Sequence, residues 1–146
     1  MITIISYYYI IKSKFPAQQY ISWMNNFFNI QTNMIIFTNK YTYNLLFKNV
    51  KRKNIIFEIL EIKDFYVYKY YDYFKKDHLR DREKNRHSPE LYMIWNNKMD
   101  FVDKSIKKNP FKSTWFCCVD IGYFRNPLTM NRYKYWPKIN KLNKDK

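Results

Sequence analysis

Four short runs of apolar, β-prone residues constrain this chain more than any other feature. Ile2–Tyr9 (ITIISYYY), Met34–Phe37 (MIIF), Asn54–Leu60 (NIIFEIL) and Thr114–Val119 (TWFCCV) show no regular alternation of polar and apolar side chains. A strand with one wet face alternates with period two. A near-continuous apolar run belongs to a strand covered on both faces, as in a parallel sheet flanked by helices. Between the first two runs lies an amphipathic segment. Pro16 suits a first helical position, and Ala17, Tyr20, Ile21, Met24, Phe27 and Phe28 fall on one stripe. Strand, helix and strand with short connections make a βαβ unit, which predicts an α/β fold with a mostly parallel central sheet.

The second half repeats the logic less cleanly. Asp64 to Arg86 is tyrosine-rich and then densely charged, predicting one helix or two short ones that lead into a solvated loop. Ser88 is a good N-cap, Pro89 fits the first turn and Glu90 complements the helix dipole. Leu91, Ile94, Trp95, Val102 and Ile106 then form a stripe that predicts a single helix to about Lys108, stopped at Asn109-Pro110. Residues 1–130 read as one domain and 131–146 as a basic, flexible tail.

Composition removes several functions. The chain has one glycine, Gly122, in 146 residues, so neither a Walker A loop nor a G-x-G-x-x-G turn can exist. Two histidines and two adjacent cysteines exclude zinc fingers, H-E-x-x-H sites and a disulfide framework. Cys117 and Cys118 read as two buried thiols within a strand. The net charge of +15 has a source in codon bias. Lys, Asn, Ile, Tyr and Phe number 21, 16, 17, 15 and 12, all residues of A/T-rich codons, as in a large DNA virus or an A/T-rich unicellular organism. Nucleic-acid binding through the Lys-rich tail, or docking of a protein partner, stands as the alternative to an enzymatic role, although a true nucleic-acid footprint needs a clustered face. The opening apolar run is far short of the ~20 residues of a membrane span and has no charged leader or cleavage site, so a cytoplasmic protein is expected, in the host cytoplasm if viral.

Asp120 is the residue that most invites chemistry. A carboxylate at the carboxyl end of a buried strand lies where α/β sheets place their ligands, and it can hold a divalent cation that in turn holds a diphosphate. It can equally cap a turn, with Gly122 supplying a positive φ.

The stretch HSPELYMIWNNKMDFVDKSIKKNPF…WFCCVDIGYFR resembles the HtrL/YibB family of glycosyltransferase-like proteins. The matching positions are His87, Ser88, Pro89, Glu90, Leu91, Trp95, Asn96, Lys98, Asp120, Gly122, Phe124 and Arg125. Tyr20, Trp23 and Met24 in the first helix and Phe37–Asn39 after the second strand are similar too, so the resemblance covers roughly residues 1–130. It implies a GT-A-like, Rossmann-like domain that binds a nucleotide-sugar donor, with Asp120 beside a divalent cation (Mn or Mg). Gly122 stands where a second acid of an Asp-x-Asp motif would be. Under that resemblance Arg125 pairs with phosphate, or is a plain surface arginine. Lys98 reaches the diphosphate, or snorkels outward. His87 and Glu90 meet an anion or a sugar hydroxyl, or serve the helix cap. Tyr7 stacks on a base, or packs in the core. A complete GT-A domain carries an acceptor half, so the chain reads as a short or truncated member that keeps the donor half.

Overall fold

The computed structural model describes residues 1–141. Its centre is a four-stranded, all-parallel sheet in the order β3-β2-β1-β4, built from β1 (Ile2–Tyr7), β2 (Asn33–Thr38), β3 (Ile55–Ile59) and β4 (Trp115–Cys118). All four apolar runs are therefore strands. In register, Ile4 sits between Met34 on one side and Cys117 on the other.

The two sheet faces explain the absent alternation. Ile4, Met34, Ile36 and Ile55 point to one face, where they pack on Met24 and Phe27 of helix α1 (Ala17–Phe28) and on Phe47. Phe47 closes a π-helical turn (Tyr43–Phe47) that extends the one-turn helix α2 (Lys40–Thr42). Ile5, Tyr7, Ile35 and Phe37 point to the other face, against Met93, Ile94 and Phe101. Phe101 is completely buried and stacks on Phe37 at 4.7 Å and on Tyr7 at 5.5 Å. Burial of one such ring stabilises the fold by roughly 1.5–3 kcal/mol. The polar side chains inside β1 are satisfied: Thr3 shares a 2.8 Å hydrogen bond with Ser113, and the Ser6 hydroxyl donates to the Val119 carbonyl.

The tyrosine-rich middle forms 3₁₀ turns (Ile62–Asp64, Tyr66–Tyr70) and then α3 (Tyr71–Arg80), followed by an exposed loop. The single helix expected from Pro89 is instead two, α4 (Pro89–Asn96) and α5 (Lys98–Lys108). Asn97, fully buried, breaks them with φ −89° and ψ 1°, outside helical geometry. The break re-aims the stripe: Met93, Ile94 and Phe101 face the sheet while Trp95 and Ile106 are about half exposed. Ser88 caps α4 as expected, its hydroxyl accepting from the Leu91 amide.

One further expectation changes. Cys117 is half-buried and Cys118 exposed, because β4 is an edge strand and covers less than the centre. Within the segment read as a basic tail, two aromatic side chains pack on the domain. Tyr133 and Trp136 lie on Phe124, and the Thr32 hydroxyl donates to the Trp136 carbonyl. The last five residues of that tail lie outside the described residues. Among the described residues no helix is long and apolar enough to cross a membrane.

Candidate functional site

The chain runs β1, β2, β3 outward in one direction and then returns to place β4 on the opposite side of β1. The carboxyl ends of β1 and β4 therefore flank the point where strand order reverses, the place where open α/β sheets leave a crevice. A cavity of about 490 Å³ occupies it, within the size range of small-molecule sites.

Its floor comes from the two strand ends. Tyr7, Tyr8 and Tyr9 leave β1, and Asp120, Ile121, Gly122 and Tyr123 leave β4. Tyr20 and Trp23 of α1 form one wall and Leu91, Ile94 and Trp95 of α4 another. The walls are aromatic, and the ionised groups among the lining residues are Asp120 and Arg125.

Asp120 is tied to both neighbours. The Tyr7 hydroxyl donates to its Oδ1, and Lys98 Nζ lies 3.3 Å from the same oxygen. The Lys98 ammonium also stands 5.4 Å from the Tyr7 ring centre. Both partners of the ion pair are substantially exposed, so it contributes about 0–1 kcal/mol at most to stability. Its interest lies in what it points at. Burial, reinforced by the hydrogen bond to Asp120, pushes the Tyr7 hydroxyl far above the ordinary tyrosine range, so it stays a donor at any physiological pH. Burial also raises Tyr8, to about 12.

Gly122 does not supply the positive φ expected of it, since no glycine here adopts one. What it supplies is clearance. A Cβ at this position would come 2.8 Å from Trp23 Cε3, so the strand-to-loop turn can lie against the indole only without a side chain. The same indole carries Arg125, whose guanidinium sits 4.3 Å from the Trp23 ring and 5.4 Å from Phe15. Arg125 Nε donates to the Gly122 carbonyl at 3.3 Å, which holds the fork in a fixed plane.

The six residues singled out in the sequence thus separate. Tyr7, Asp120 and Arg125 line the cavity, and Lys98 reaches its carboxylate. His87 and Glu90 are not among the lining residues. His87 Nδ1 lies 2.8 Å from Asp81 Oδ2, and Glu90 accepts from the Tyr71 hydroxyl at 3.1 Å. Both are taken up by bonds that tie α4 to the preceding helix and loop. The His87 ring stands edge-on to the lining residue Trp95 at 5.5 Å. The wall residues Tyr20, Trp23, Trp95 and Tyr123 escaped the site reading, although all four sit inside the quoted motifs.

A divalent ion at Asp120 would need several oxygen ligands. Among the described residues no group of three or more His, Cys, Asp or Glu could hold a metal ion. The Asp120 Oδ1 already accepts from Tyr7 and Lys98, and the ammonium opposes a second cation at that oxygen. The side chains present do not fit a resident metal.

A model of a family described as a bacterial protein of unknown function (HtrL_YibB) matches residues 6–144. The chain belongs to the HtrL/YibB family. The match takes in β1 from Ser6 onward, both helical walls and the Asp120-Ile121-Gly122 turn, so the whole cavity lies within the family region. No curated protein matches the chain. No solved structure matches it either.

Proposed function

We propose that the cavity between β1 and β4 binds a nucleotide-sugar donor and that this member of the HtrL/YibB family acts in, or derives from, glycosyl transfer. The observation that carries the reading is the pairing of Asp120 with Tyr7 and Lys98 at the sheet's switch point, under aromatic walls and beside Arg125. Flat rings such as Trp23, Trp95 and Tyr123 suit a base or the apolar face of a sugar. A guanidinium held in plane suits a phosphate oxygen pair. Asp120, more than half exposed, has a lone-pair edge left for a sugar or ribose hydroxyl.

The test is a thermal-shift and calorimetric screen with uridine, guanosine and cytidine diphosphates, each with Mn²⁺ and with chelator. A ligand at about a hundred times its Kd should stabilise the fold by ~2.7 kcal/mol. Asp120→Asn should abolish the shift. No shift with any nucleoside diphosphate in either condition overturns the reading.

A further inference from the structure

We propose that the Lys98 ammonium, rather than a divalent ion, is the cation through which Asp120 engages the diphosphate; this rests on the donor-site reading above. A bare carboxylate repels a diphosphate, so a site built on Asp120 needs a positive charge between the two. Lys98 Nζ stands at that carboxylate, 3.3 Å from Asp120 Oδ1 and over the Tyr7 ring. An ammonium has three N–H donors. One is directed at Asp120, which leaves two for phosphate oxygens, and the side chain is open enough to offer them.

The backbone that carries Lys98 is fixed for this purpose. Lys98 opens α5 directly after the buried break at Asn97, whose amide is bonded to the Met93 carbonyl at 2.9 Å and whose carbonyl accepts from Phe101 at 3.1 Å. Arg125, held on Trp23, supplies the positive charge among the cavity's own lining residues. Two cations and a donor-set too sparse for a metal make a site that takes a diphosphate by hydrogen bonds and charge.

The experiment is calorimetry with uridine diphosphate on the full chain, in chelator and in Mn²⁺, for the wild type, Lys98→Gln and Lys98→Arg. Binding in chelator should match binding in Mn²⁺. Lys98→Gln should weaken it roughly tenfold or more, and Lys98→Arg should restore much of the loss. Melting curves check that each variant is folded. Binding that requires Mn²⁺, or Lys98→Gln binding as the wild type does, overturns the metal-free assignment while leaving the donor site standing. Binding of no nucleoside diphosphate by the folded wild type in either condition overturns both.

Discussion

Gly122 lies against Trp23 so closely that a Cβ would sit 2.8 Å from the indole Cε3 and 3.4 Å from Cζ3. The obstacle is a buried aromatic ring, not the flexible end of a long side chain, so it cannot swing aside. Gly122→Ala should destabilise the fold by about 1–3 kcal/mol through overpacking. Adding Trp23→Leu should give a double variant less destabilised than the sum of the two single changes, a coupling that denaturant titration of all four proteins measures.

Tyr7, Tyr8 and Tyr9 are all raised above the ordinary tyrosine value, chiefly by burial, Tyr8 to about 12. In the unfolded chain they lose their protons near the ordinary value of 10.0. The unfolded state then binds fewer protons than the native state, so stability is full below pH 10 and falls as pH rises beyond it. For Tyr8 the fall runs from about pH 10 to 12. Denaturant midpoints at pH 9, 10 and 11, with tyrosinate absorbance followed in parallel, should show the loss. Tyr7→Phe should make it shallower.

Asp81 behaves oppositely. Hydrogen bonds from the Tyr92 hydroxyl, the Glu83 amide and His87 hold its carboxyl down at about 2, against 3.8 ordinarily. Here the unfolded state takes up a proton first as pH falls, so the stabilisation is present above about pH 4 and disappears toward pH 2. Asp81→Asn should lower stability at neutral pH and flatten the acid limb between those values. Because the group is only partly buried, the effect should shrink in 1 M salt.

Ser88 offers a test of the α4 wall. Its hydroxyl accepts from the Leu91 amide, and Ser88→Ala should cost about 0.5–2 kcal/mol. Leu91 and Trp95 line the cavity from this helix, so amide hydrogen exchange should rise through its first turn.

How legible this was in the sequence differs by element. The strands were plain, because residues such as Ile4 and Ile5 face opposite helical layers and both must be apolar. Ser88-Pro89-Glu90 announced the start of α4, because capping is local chemistry. The break at Asn97 was hidden. Nothing local forbids a helix through Asn96-Asn97-Lys98, and only the packed structure shows Met93 and Phe101, on either side of the break, in one cluster against the sheet. Asp120 was visible from its place after an apolar run, and Tyr7 from its place at the end of another. That their side chains bond to each other depends on β4 pairing with β1 across 113 residues, which no local pattern encodes. His87 and Glu90 are motif positions themselves, yet they turn toward Asp81 across the charged loop and toward Tyr71 on α3, partners set by how that loop folds and how α3 packs on α4.

Arg125 gives the last prediction. Its charge and its stacking are separable: the guanidinium lies 4.3 Å from the Trp23 ring, and its Nε donates to the Gly122 carbonyl. Arg125→Lys keeps the charge but loses the planar fork and most of the stacking. Arg125→Ala loses both. If Arg125 grips phosphate bidentately, uridine diphosphate affinity should fall by roughly tenfold in Arg125→Ala and nearly as far in Arg125→Lys, because a single ammonium cannot make two parallel bonds. If only charge mattered, Arg125→Lys would bind almost as the wild type does. Trp23 beneath the guanidinium is a reporter once Trp95, Trp115 and Trp136 are replaced by Phe. In that background its fluorescence should change on titration and change less when Arg125→Ala is added, which links the phosphate contact to the aromatic wall in one measurement.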